Sequence, residues 1–394
     1  MQAMRIFGVS LLVLSFLTPA VLHGQESIVV SAEAKESLWQ DVQSVPAVGD
    51  GEDYEQQNQK RYAKLVSLVD ELGNGVKRID HRVLQQGTGP ELAIPNVVFK
   101  IGNGVKPTIV VGAHLDKVEE AGTGVIDDWT GCANIIHASK ALLAKDGLKH
   151  NFVFVCFAYE EKNLWGSQTF VNDLKASRHS ELNQLLGGIN NVKAMLNFEC
   201  LGVSELYGWK EGATPWLADL ATGVANRTAN VSFRNREIGL PVGADSVPFF
   251  YEGIPSLTID SLESPGDFSK IHSSQDVIGN IGEVKIKNTL EYSVKLILEL
   301  DKFAGSSFAG YKSQASLLRP PKPASHPNVV VQSYAHSHHH RVGPSSFSPN
   351  GAASFQSESL VAVPFGGTVY IVGYDDQGRL WKTDIRDVPS SKGR

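Results

Sequence analysis

The chain is predicted to adopt an α/β fold with a mixed, largely parallel central sheet and helices on both faces. Three observations carry this expectation. Between about residues 96 and 303, apolar runs of strand length alternate with stretches of helical periodicity. Several of those runs, such as "TIVVGAH" and "NFVFVCFAY", are almost continuously apolar, as strands buried on both faces are. Acids and histidines then stand at the ends of the runs, where open α/β sheets form their sites.

The elements follow in order. From Ser31 to about Gly73 the chain reads as mostly helical, with Leu65, Leu68, Val69 and Leu72 at helical spacing. "NVVFKI" (96–101) and "TIVVGAH" (108–114) read as strands, and Cys132 to Leu143 as a helix. The strand "NFVFVCFAY" (151–159) is followed by a helix from about Leu164 to Leu174. "VKAMLNFE" (192–199) is a strand, and "TPWLADLATGVANRT" is a helix with proline in its first turn, where a missing N–H costs nothing. "SLTID" (256–260) is the last strand, and "GEVKIKNTLEYSVKLILELDKF" closes the region as an amphipathic helix ending near Phe303.

The flanks differ in character. Arg5, an apolar core from Ile6 to Leu17, and Thr18, Pro19 and Ala20 make residues 1–24 read as a secretory signal peptide, too short to span a bilayer comfortably. The expected product is secreted or periplasmic, with no stable membrane insertion after cleavage. The folded domain is expected over 27–304. Residues 305–357, rich in Ser, Pro and His, read as a flexible linker, and 358–394 as a short β-rich segment around a "DDQG" turn. The linker histidines, His336 and His338 to His340, suit adventitious metal binding at most.

Composition narrows the function. A hydrophobic content of 42% is enough for a sizeable core, while a net charge of -6 without a basic stripe argues against nucleic-acid binding. Three scattered cysteines, Cys132, Cys156 and Cys200, make no disulfide framework and read as small core residues.

Five places carry candidate chemistry. His114 and Asp116 end one strand, and Asp127 with Asp128 precedes a helix. Glu160 and Glu161 follow the next strand, Glu199 ends another, and His272 lies in a late loop. Each alone fits a plainer role: a structural histidine, a helix N-cap, an exposed helix start. Five coincidences at strand ends are far less plausible than one site, and imidazoles mixed with carboxylates suit zinc. Side chains two residues apart on an extended segment point the same way, so Asp116 is expected to accept the free ring N–H of His114. Glu160 and Glu161, being adjacent, must diverge, one toward a metal and the other as a base.

In order, "GAHLD", "DDWTG", "YEEKNLWGS", "LNFECLG", "GADSVPF" and "IHSSQD" make the chain resemble the co-catalytic zinc aminopeptidases, from about Lys106 to Phe303. Their superfamily also holds glutaminyl cyclases and glutamate carboxypeptidases. The resemblance implies a three-layer sandwich of the zinc exopeptidase, phosphorylase/hydrolase-like kind, two zinc ions per chain and a peptide substrate with a free N-terminus. His114 and Glu199 would bind the first zinc, Glu161 and His272 the second, and Asp127 would bridge them. Glu160 would be the general base for a zinc-held hydroxide, Asp116 would orient His114, and Asp128 would stay outside the ligand set. Three positions depart from the family pattern: Glu199 replaces the usual Asp, Ile271 a frequent Tyr, and Ser246, after Asp245, a frequent His.

The expected activity is therefore that of an exported metallo-aminopeptidase. Two other functions fit the scaffold: a single-zinc acyltransferase like glutaminyl cyclase, using Asp127, Glu161 and His272, and a non-catalytic binding protein. His114 with Glu199 argues for a second metal, and the intact Glu160 beside Glu161 argues for catalysis.

Overall fold

The computed structural model describes residues 30–302, apart from 105, 120, 121, 211 and 237–242, together with the backbone of three strands between 361 and 385. Eight strands form one sheet: β1 (Lys77–His81), β2 (Asn96–Ile101), β3 (Thr108–His114), β4 (Asn151–Phe157), β5 (Val192–Phe198), β6 (Leu206–Trp209), β7 (Phe233–Arg236) and β8 (Ser256–Asp260). Their spatial order is β1-β2-β4-β3-β5-β8-β6-β7. The middle of the sheet, β4-β3-β5-β8, is parallel throughout, whereas β1, β2 and β6 join by antiparallel pairing. The mixed, largely parallel α/β sheet read from the sequence is the one observed.

Nine helices are described: α1 (Ala32–Gln43), α2 (Tyr54–Asp70), α3 (Thr130–Leu143), α4 (Trp165–Ala176), α5 (Ser180–Leu186), α6 (Pro215–Ala225), α7 (Val247–Tyr251), α8 (Pro265–Phe268) and α9 (Glu283–Asp301). Local chemistry sets several of their ends. Asp53 caps α2 through a reciprocal capping box with Gln56, and Pro215 occupies the first turn of α6. The larger core lies where α1, α2, α3, α6 and α9 cover one face of the sheet, and a smaller one lies under α4 and α5 on the other. All seven residues of β3 and of β4 are buried, so these strands are rigidly held and their ends are well placed to carry a site.

One glycine sets how closely a helix meets the sheet. A Cβ on Gly131, in the first turn of α3, would collide with the Asp128 carboxylate and the Phe198 carbonyl at the end of β5. Glycine at this position lets the turn before α3 sit directly on the carboxyl end of β5.

The elements absent from the sequence reading are β1, β6, β7, α5, α7 and α8, all five residues long or shorter except α5, which has seven. Three further strands, β9 (Val361–Phe365), β10 (Thr368–Tyr374) and β11 (Leu380–Ile385), form a separate antiparallel sheet. The expected signal segment, the linker, its histidines and the "DDQG" turn lie outside the described residues. No helix among the described residues is long and apolar enough to cross a membrane.

Candidate metal centre

The carboxyl ends of β3, β4 and β5 converge. His114 is the last residue of β3, Glu160 and Glu161 follow β4, and Glu199 immediately follows β5. Asp127 comes from the turn before α3, and His272 from the loop after α8. Ligand atoms of His114, Asp127 and Glu199 lie within 4.8 Å of one another, as do those of Asp127, Glu161 and His272. Asp127 belongs to both groups. A third group joins His114, Glu160 and Glu161, so all six candidate side chains share one site. All six side chains are buried except that of His272, which is partly exposed.

The orientation of His114 suits a cation. Its Nδ1 stands 3.1 Å from the backbone carbonyl of Asp116, which can only accept, so Nδ1 carries the proton. In the neutral ring, Nε2 then presents a lone pair to Asp127 Oδ1 at 3.0 Å. Lone pair against carboxylate oxygen is repulsive unless a proton or a metal lies between them. In the other group, His272 Nε2 lies 3.0 Å from both Asp127 Oδ2 and Glu161 Oε2 and 3.1 Å from Glu161 Oε1. One ring nitrogen cannot serve all three oxygens well, and Asp127 Oδ2 and Glu161 Oε2 are left without a hydrogen bond of good geometry. Donor atoms crowded in this way fit zinc with mixed nitrogen and oxygen ligands.

Charge leads to the same conclusion. Burial, with Glu161, Glu199 and Asp245 as neighbours, pushes Glu160 well above the usual carboxylate range against the opposing pull of His114. Burial likewise raises Glu199, with Asp260, Asp128 and Asp127 nearby. Burial acts on Asp127 in the same sense, but the close imidazoles of His114 and His272 drive it well below the usual range. So many buried acids need added positive charge to be ionised together.

The supporting contacts correct one expectation. The Asp116 carboxylate stays 3.8 Å from His114 Nδ1, beyond hydrogen-bonding reach; the backbone carbonyl of Asp116 fixes the ring instead. The carboxylate accepts the backbone N–H groups of Glu160 (3.0 Å) and Glu161 (3.1 Å) and the Tyr54 hydroxyl (2.7 Å). Asp116 therefore ties the β3 end to the glutamate pair. Asp128, joined to Asp127 by a cis peptide bond, accepts from the backbone of His114, Gly131 and Cys200 and fastens three elements together.

Several supporting residues were not singled out in the sequence. Asp276 holds the turn before α3, and it lies inside the "IHSSQD" stretch. Asn197 donates to Glu199 Oε2 at 2.9 Å, and its position two residues upstream on a strand was a usable signal. Tyr54 and the buried Arg61, which donates to the carbonyls of Leu115, Thr123 and Gly124, come from α2 and gave no such signal. At the departures from the family pattern, the Ser246 hydroxyl pairs with that of Thr258 at 2.7 Å, and Ile271 is buried. The three cysteines are free buried thiols, with Cys200 Sγ 3.5 Å from Asp127 Oδ1.

No curated protein matches the chain by sequence. Among solved structures, the fold is similar to that of the LapA aminopeptidase of Legionella pneumophila, with a TM-score of 0.54 at 20% identity over 69% of this chain and 72% of that one. It is also similar to a glutaminyl cyclase of Porphyromonas gingivalis, at 0.52 and 14% over 68% of this chain and 98% of that one. A Zn-dependent exopeptidase of Parabacteroides distasonis gives 0.51 and 12% over 70% and 98%. These likenesses establish the fold. The family model for peptidase family M28 matches residues 96–297, just over half of the 394-residue chain and the span that holds every candidate ligand. The chain belongs to peptidase family M28, the zinc exopeptidase family that its motifs resemble.

Proposed function

We propose that this peptidase is an exported aminopeptidase that uses two zinc ions to remove the N-terminal residue of a peptide. The observation that carries the reading is the sharing of Asp127 between two complete three-residue groups. His114 and Glu199 would hold one ion with Asp127, and Glu161 and His272 the other. Bound zinc supplies a polarised substrate carbonyl and a more acidic water.

The chain's own residues do the rest. Glu160 takes a proton at its carboxylate from the attacking water and returns it to the departing amine. Its burial among other acids favours holding that proton between the two transfers. Asp116 keeps the backbone of Glu160 and Glu161 in place, so base and ligand stay in register. The excess of carboxylate around the site suits the free ammonium of an N-terminus, and the apolar segment after Arg5 supports export.

Zinc counting and substrate choice test the reading together. The purified protein should hold two zinc ions and hydrolyse aminoacyl amides with a free amine, but not their N-acetylated forms. One ion with cyclisation of N-terminal glutamine would favour the cyclase reading, for which the shared fold of the Porphyromonas gingivalis enzyme is the motive. No turnover of any peptide by the zinc-loaded protein would favour a binding protein.

A further inference from the structure

We propose that Asn197 is a positioning residue that holds one oxygen of Glu199, so that Glu199 offers a cation a single donor atom. The inference rests on the two-metal reading above and concerns the ligand that departs from the family pattern.

A glutamate in place of an aspartate adds a rotatable bond and lets either carboxylate oxygen swing toward a metal. Asn197 removes that freedom. It lies two residues before Glu199 at the end of β5, so both side chains leave the strand on the same side. Its Nδ2 donates to Glu199 Oε2 at 2.9 Å, and both residues are buried.

The space for the amide is prepared. Asn197 stands in register between Gly112 of β3 and Thr258 of β8. A Cβ on Gly112 would approach Asn197 Oδ1 to 3.3 Å and crowd Met195 and Phe157 more closely still. The orphaned acceptor is informative as well. Asn197 Oδ1 is buried without a hydrogen-bond partner, a burial that costs free energy and that no apolar residue of the same shape would incur. Among the described residues, the one hydrogen bond this amide makes goes to Glu199. With Oε2 occupied by Asn197, the other oxygen is left for the ion.

The test is zinc titration of the full chain by calorimetry and by elemental analysis, with wild type, Asn197→Leu and Asn197→Ser compared. Leucine keeps the volume but not the donor; serine keeps a hydroxyl donor if leucine prevents folding, which thermal melting reports. Loss of the contact should weaken one of the two ions roughly 10–100-fold and leave the other unchanged. Glu199→Asp, too short to keep the contact, should give a similar loss. The double variant should then lose no more than the worse single one. Unchanged affinity for both ions, or equal weakening of both, would overturn the proposal. If wild type takes up a single zinc, the two-metal reading fails on its own, and the inference is still decided by whether Asn197→Leu weakens that ion.

Discussion

Asp276 grips the backbone of Asp127: its two carboxylate oxygens accept the N–H groups of Ile126 at 2.7 Å and of Asp127 at 3.3 Å. Its own carbonyl takes the backbone N–H and the hydroxyl of Thr123, at 2.8 and 3.0 Å. The loop that supplies His272 is thereby fastened to the turn that supplies Asp127. Asp276→Ala should lower kcat/KM and zinc retention roughly 10–100-fold while leaving the circular dichroism of the fold intact. Asp276→Asn, which keeps one acceptor and turns an N–H toward the other donor, should fall between. Wild-type activity in the alanine variant would show that the grip is dispensable.

Removing the base without removing a ligand separates chemistry from metal binding. Glu160→Gln keeps the side chain's shape but cannot take up a proton. Its kcat should fall roughly 10²–10⁴-fold with zinc content unchanged. Undiminished turnover excludes Glu160 as the proton carrier; lost zinc would make it a ligand instead.

Chelation should cost stability as well as activity. Asp127, Glu160, Glu161 and Glu199 are crowded into one buried site, and without cations their mutual repulsion opposes folding. Zinc at 100 times its dissociation constant should stabilise by about 2.7 kcal/mol, which for a domain of this size is about 5–10 °C in Tm. An identical melting temperature with and without chelator would contradict the assignment of Asp127, Glu161 and Glu199 as ligands.

A second acid gives a pH signature away from the centre. Burial opposes ionisation of Asp267, but Lys270 (2.7 Å), the Ser264 hydroxyl (2.8 Å) and N–H (3.0 Å) and the Ser204 hydroxyl (2.9 Å) hold its pKa at about 2. The unfolded value is about 3.9, so between the two the unfolded chain binds the extra proton. The stabilisation is therefore complete above about pH 4 and is lost as pH falls toward about 2. Asp267→Asn should melt below wild type at neutral pH, and that gap should close in acid. A gap that stays constant with pH would mean the contacts act through shape alone.

What the sequence revealed follows burial and order. β3, β4, β5 and β8 were legible because apolar runs bounded by polar breaks and too short for a helix fit a buried strand. β1 was not: Arg78 and Asp80 give "KRIDH" a polar face, as suits an edge strand, and with Lys77 beside them its composition mimics a loop. β6 and β7, with four residues each, are too short to show a period. At the site, the six side chains in the ligand groups were readable as residue types at strand ends. The Tyr54 hydroxyl on Asp116 spans 62 residues of sequence, and no local pattern announces it. The same holds for the Arg61 and Asp276 contacts. The expected ring contact of Asp116 failed for a subtler reason: spacing set the correct side of the strand, but the nearer backbone carbonyl had already taken the imidazole N–H.

The membership of Asp127 in both groups has a mechanical consequence. A small displacement of its turn toward one pair of partners draws it away from the other, so positional errors trade off instead of accumulating. Neither half of the centre can then be retuned through Asp127 alone. A substitution that shifts the turn carrying Asp127 is felt at Glu199 and at His272 together, and moving this shared ligand to suit a different cation would need compensating changes on both flanks at once.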